Sequence, residues 1–165
     1  MYQIGEKIVY GIHGVCRVAD LEDRVINQKK QTYLVLEPAG KDGSRYFVPT
    51  HNAVAMSKLR PILTQKQMQT LLASNEIRSF VWIQDENLRK QTYRELISSG
   101  NQEELMKMVY TLYLHKNKQV AEGKKVHQCD ENFLRDAEKI LCSEISIVLN
   151  IDYSEALSYL RKQLK

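Results

Sequence analysis

The chain has 165 residues, with 43% hydrophobic and 27% charged residues and a formal net charge of +4. That balance fits a globular protein of one ordinary domain or two small ones. It excludes a polycation that holds DNA by charge alone, and no apolar run approaches the roughly 18 residues of a membrane span.

Splitting the chain after Arg60 sharpens the charge reading. The first part carries nine Lys/Arg against six Asp/Glu, and the second fifteen against fourteen. Any nucleic-acid contact must therefore come from local patches and needs a second anchor. Cys16, Cys129 and Cys142 are scattered and odd in number, which does not read as a disulfide framework. The N-terminus lacks a basic flank followed by an apolar stretch, so the expected location is cytoplasmic.

Residues 1–60 carry strand signals. Lys7-Ile8-Val9-Tyr10 is a β-branched and aromatic run closed by Gly11, and Gly14 opens a second, Val15-Cys16-Arg17-Val18-Ala19. Tyr33-Leu34-Val35-Leu36 is a third, stopped by Pro38, and Tyr46-Phe47-Val48 a fourth, stopped by Pro49. Asn27-Gln28 and Asp42-Gly43 are the turns between neighbours. The spacing predicts a small, strongly curved antiparallel sheet or barrel. His13 between two glycines reads as part of a tight turn in which glycine supplies positive φ, or as an acid-base group. Neither His13 nor His51 has a Cys or His neighbour at metal-site spacing. Cys16 reads as a small buried hydrophobe.

After Pro61 the signal changes to helix. Thr64 can cap a helix carrying Met68, Leu71 and Leu72. A helix over about 85–99 ends at Gly100, a natural position for a left-handed terminator. Asn101 with Glu104 opens the next, with Leu105, Met108, Val109 and Leu112 at i, i+3, i+4, i+7. Asp130 can cap a long helix with Phe133, Leu134, Ala137, Ile140, Leu141, Ile145 and Val148 on one face. Asp152 with Glu155 opens a last one. These stripes read as core.

Three features stand outside it. Trp82, the single tryptophan, reads either as a core anchor under a loop or as a functional aromatic. Arg89, Lys90 and Arg94 follow, interleaved with Asp85, Glu86 and Glu95. Lys116, Lys118, Lys124 and Lys125, flanked by His115 and His127, read as a lysine-rich loop or as ordinary solvated surface. There is no Gly-rich phosphate loop, zinc-spaced Cys/His set or nucleophile elbow. No catalytic residue, metal ligand or cofactor is assigned.

The run Ile4-Gly5-Glu6-Lys7-Ile8-Val9-Tyr10, then His13-Gly14, Tyr33-Leu34-Val35-Leu36 and Val48-Pro49 with Asn52, resembles the N-terminal module of the CarD/CdnL family. That module is also similar to the RNA-polymerase-interacting domain of transcription-repair coupling factor. Ser99-Gly100 and Ala137-Glu138-Lys139-Ile140-Leu141 with Glu144 resemble the family's C-terminal domain. The resemblance implies an α+β chain: a Tudor-like antiparallel β-barrel over 1–60, then an all-helical domain over 61–165. It implies a bacterial, non-enzymatic regulator, nucleoid-associated through RNA polymerase. The first module would bind the polymerase β subunit. The second would contact promoter DNA at the upstream edge of the melted bubble, where a tryptophan wedges into the minor groove.

Arg24 falls where the family has a polymerase-contacting arginine. A second such arginine, before the Val-Pro step, is here Phe47, with Arg45 two residues away. Arg24, Arg45 and Phe47 are therefore the expected polymerase-binding residues. Trp82, Arg89, Lys90, Arg94, Lys116, Lys118, Lys124 and Lys125 are the expected DNA-binding set. Glu131 and Asp136 stand where some members carry basic residues. The alternative function is an adaptor that tethers another protein to polymerase without DNA contact; a small enzyme using His13 or His51 ranks below it. A monomer is expected, although an exposed strand edge allows strand swapping between chains.

Overall fold

A computed structural model describes residues 1–40 and 43–165. The chain divides into two compact units, Met1–Ile62 and Leu63–Lys165. The first holds the strands β1 (Lys7–Tyr10), β2 (Val15–Ile26), β3 (Lys29–Pro38), β4 (Tyr46–Pro49) and β5 (Leu59–Pro61), with a short helix α1 (Ala53–Met56) before β5. The second holds the helices α2 (Gln65–Ala73), α3 (Glu86–Ser99), α4 (Gln102–Ala121), α5 (Gln128–Leu149) and α6 (Tyr153–Gln163). The α+β class and its order along the chain are those the sequence implies.

All strand neighbours are antiparallel, in the order β4-β3-β2-β1-β5. The expected barrel is corrected here: the sheet is open, because β4 and β5 do not pair and remain its two edges. Side chains alternate between faces along a strand. Ile8, Cys16, Val18, Leu34, Leu36, Val48 and Leu59 pack together as the core of this unit. The register makes this possible, since Ile8 pairs with Cys16, Val18 with Leu36 and Leu34 with Val48. A bulge between Val18 and Asp20 shifts the pairing of β2 with β3 and lets the long hairpin bend.

Asn27 and Gln28 both have positive φ, 50° and 62°. That is the signature of a tight two-residue hairpin turn whose twist matches the strands. Beyond the Arg24–Gln31 pair, β2 and β3 pair only with each other. The far end of the hairpin is thus a two-stranded ribbon, with Val25 and Ile26 exposed. The His13 segment is the expected turn: Gly11–His13 forms one 3-10 turn, with Gly11 and Gly14 both at positive φ. Gly43 also has positive φ, whereas Asp42 lies outside the described residues.

In the helical unit, capping follows the sequence closely. Thr64 and Asp152 each form a full capping box, with Gln67 and Glu155. Asp85 accepts from the Leu88 N–H and Asn101 from the Glu104 N–H. Gly100 takes the left-handed conformation that ends α3, where a side chain would be strained.

One expectation fails. Asp130 does not cap α5, because the helix starts two residues earlier and His127 Nδ1 accepts from the Cys129 N–H. α5 is the central helix, packed against α2, α3, α4 and α6. Phe133, Leu134, Ala137, Ile140, Leu141 and Ile145 form its buried stripe. Two buried carboxylates on α5 also tie neighbouring elements together. Glu144 accepts from the Leu63 N–H at 2.8 Å. Glu138 accepts from the Tyr113 hydroxyl and from Arg161 on α6. Burial and the adjacent Glu138 push the Tyr113 phenol well above its ordinary range, so it stays a donor. No helix among the described residues is long and apolar enough to cross a membrane.

Candidate functional site

The two units carry separate candidate surfaces. In the β unit, cross-strand partners share a face. Arg24 pairs with Gln31 on β3, and Phe47 pairs with Val35 four residues further on. Arg24 and Phe47 therefore project from the same face, opposite the core. The Arg24 guanidinium lies over the Phe47 ring, 3.8 Å from its centroid. Its Nε and one terminal nitrogen donate to Glu22 at 3.1 and 2.9 Å.

Phe47 is 37% exposed, so its ring can reach a partner. Arg45 joins the same surface through Glu37, whose carboxylate accepts from Arg45 and also from Arg17. The structure thus brings Arg24, Phe47 and Arg45 to one surface beside the edge strand β4. Phe47 does not copy an arginine there; it supplies the flat ring on which Arg24 rests.

In the helical unit, Trp82 lies on the segment between a short 3-10 helix (Asn75–Ser79) and α3. It is half-buried and packs against the edge of the helical core, so it is neither a free wedge nor a buried anchor. Its indole stacks on His115 of α4, with centroids 3.6 Å apart and planes 7° apart. The Arg89 guanidinium lies 4.5 Å from the indole centroid.

Arg89 is 6% exposed and binds the buried Asp130 with two donors, at 2.9 and 3.2 Å. A third nitrogen donates to the Ile83 carbonyl at 2.9 Å, next to Trp82. This corrects the expectation that Arg89 holds phosphates: its guanidinium is occupied within the fold. Tyr93 lies in the same buried region, where burial and Asp130 push its phenol up to about 12.

The lysines separate as well. Lys116 and Lys118 are on α4 rather than in a loop, and only Lys124 and Lys125 follow the helix. Two residues along an α-helix turn the side chain by about 200°. Lys116 accordingly faces Glu131 at 3.5 Å, and borders a pocket with Arg161 and Lys165. Lys118 and Lys124 instead line a groove of about 380 Å³ together with Trp82, His115, Gln84 and Gln119. Lys124 pairs with Glu122 at 2.9 Å and Lys90 with Glu86. Both pairs are solvent-accessible, and pairs of this kind contribute little to stability. Arg94, Lys118 and Lys125 make no ion pair among the described residues. His115 is held below its ordinary imidazole value by burial. Among the described residues no group of His, Cys, Asp or Glu could hold a metal ion.

The comparisons with known proteins bear on both units. Residues 2–61 match the family model described as "CarD-like/TRCF RID domain", and residues 68–161 match "CarD, C-terminal domain". The chain belongs to the CarD-like family. It is also similar to a Bacillus subtilis (strain 168) protein named "Putative transcription factor YdeB". The two are 25% identical over 166 residues, covering 96% of this chain and 99% of the relative. CarD-like proteins are non-enzymatic transcription regulators that interact with RNA polymerase.

In the sequence His115 stands only as a flank of the lysines. The stack on Trp82 joins positions far apart in sequence, and nothing in local spacing announces it. Asp130 has the sequence pattern of a helix cap, whereas in the fold its carboxylate is the partner of Arg89. If the helical unit binds DNA, Lys118→Gln with Lys124→Gln should lower the salt slope of that binding by roughly two units, and Lys116→Gln should leave it nearly unchanged. Filter or fluorescence titrations at several salt concentrations check this. Equal contributions from all three would restore a single basic cluster.

Proposed function

We propose that the β unit binds the polymerase β subunit through the face formed by Arg24, Phe47 and Arg45, and that the helical unit stabilises the open promoter complex. In this reading Trp82 contacts the upstream fork of the melted DNA, and Lys90, Arg94, Lys118, Lys124 and Lys125 hold nearby phosphates. The observation that carries it is the half-buried indole bordering a groove lined by Lys118 and Lys124, in a chain whose first unit matches a polymerase-interacting module. An aromatic side chain that unstacks a base step gains from contacts to the distorted duplex. The surface is weakly basic, and tethering to polymerase supplies the local concentration that charge alone does not. Only a difference in affinity between melted and closed DNA shifts the equilibrium.

Arg24→Glu tests the first half. It reverses a charge on an exposed side chain, so the unit should remain folded. Affinity for the isolated β subunit should fall by at least about tenfold, on the order of 1.4 kcal/mol or more. Unchanged affinity in a titration would remove Arg24 from the interface. The second half is tested by the lifetime of open complexes on competitor challenge, which the protein should lengthen.

A second reading is favoured by one observation. Glu86, Glu122 and Glu131 already accompany Lys90, Lys124 and Lys116, which weakens the field a phosphate would meet. In that reading the protein is an adaptor, and the groove takes a protein partner. Polymerase binding with no change in open-complex lifetime would select it.

A further inference from the structure

Trp82 lies on a segment without regular secondary structure, where an indole makes a defined contact only if it is kept in one orientation. Lost side-chain freedom costs affinity whenever it must be given up on binding. The segment Phe80–Gln84 is held at several points. The Thr111 hydroxyl donates to the Phe80 carbonyl at 3.4 Å. Arg89, fixed by Asp130, donates to the carbonyl of Ile83. Neither bond fixes the indole torsions themselves. The near-parallel His115 ring does, because rotation of the indole about its side-chain bonds would break a 3.6 Å stack.

The imidazole is itself restrained. Its Nε2 lies 3.3 Å from the Gln119 side-chain nitrogen, one turn further along α4. His115 is therefore a platform on a regular helix.

We propose that His115 is the positioning residue of Trp82, presetting the indole against the groove before DNA arrives. The proposal rests on the promoter-contact reading for its consequence, but not for its geometry. The groups around the imidazole are Arg89 on α3, Lys118 on α4, Glu122 just past the end of α4, and Asp130 on α5. Burial, with Arg89 and Lys118, favours the neutral ring, whereas Asp130 and Glu122 favour the charged one; the direction overall is downward. The ring is neutral near pH 7 and gains its proton only below the ordinary value of about 6.5. Stability associated with the neutral ring is present above that value, and is lost as pH falls through the lower folded value.

Trp82 is the only tryptophan, so indole emission reports on this pair alone. The experiment compares the full chain with His115→Ala and His115→Phe, which removes the stack in one case and keeps a ring in the other. His115→Ala should speed the local depolarisation of Trp82 in time-resolved anisotropy and lower the ratio of preset to other indole orientations by about 2- to 10-fold, the range that aromatic pair energies correspond to. His115→Phe should restore it. Emission of the wild type should titrate below pH 6.5, since imidazolium quenches indole more strongly, and that step should be absent in His115→Phe. With polymerase and promoter, open-complex lifetime should follow the same order: wild type and Phe long, Ala short. Unchanged anisotropy in His115→Ala, or a titration that survives His115→Phe, overturns the proposal. If Trp82→Ala itself leaves open-complex lifetime untouched, the promoter-contact reading fails, and the anisotropy measurements still decide the role of His115.

Discussion

Asp130→Ala is expected to cost about 3–5 kcal/mol of stability in the helical unit, because it leaves the Arg89 guanidinium buried without its carboxylate. Side-chain exposure is 7% for Arg89 and 2% for Asp130, so water cannot replace the lost partner. For a domain of this size that corresponds to a fall in melting temperature of roughly 12 °C or more. Denaturant unfolding followed by circular dichroism measures it. The double replacement Arg89→Met with Asp130→Leu should recover most of the loss, since a buried ion pair exchanged for packed apolar side chains is often neutral. A loss below about 1 kcal/mol in the single variant would mean that solvent reaches the pair. Asp130 also sits in the first turn of α5, where a negative charge is favoured by the helix dipole, so part of the cost falls on the helix start.

Trp82→Ala separates stability from function. The indole is half-buried and packed at the rim of the helical core. Its removal should therefore cost less than the roughly 3–5 kcal/mol of a fully buried aromatic, about 1–2 kcal/mol. Affinity for the polymerase β subunit should stay unchanged, because the Arg24–Phe47 surface belongs to the other unit. Most of the effect on open-complex lifetime should be lost. Full retention of that effect, measured by competitor challenge, would take Trp82 out of the DNA contact and favour the adaptor reading.

Much of the architecture was legible in the sequence because it rests on local physics. Asn27-Gln28, Gly100, Thr64 and Asp152 with Glu155 each specify a turn or a helix end within a few residues, and the structure places those features there. β5 and α1 were not foreseen, since Leu59–Pro61 and Ala53–Met56 are too short to show a period. The openness of the sheet was not legible either, because closure depends on strand tilt and pairing between distant strands. The site failed where partners are remote. Arg89 looked like a surface cation among Asp85, Glu86 and Glu95, and only the fold brings Asp130 to it. The lysines looked like one cluster because sequence distance does not reveal the turn of α4 that sends Lys116 and Lys118 apart.

The overhanging end of the β2–β3 hairpin has a consequence for how tightly and how briefly the first unit can hold a partner. Two strands without a third neighbour are marginal on their own in water, so this ribbon samples opened states more readily than the sheet behind it. Arg24 stands at its root, with its guanidinium over Phe47 on the edge strand. A partner gripping Arg24 also immobilises part of the ribbon, and the lost chain entropy is subtracted from the contact energy. Affinity is thereby held below what the touching surface alone would give, while the geometric demand on the partner is undiminished. A loss of affinity of this kind appears mainly as faster dissociation.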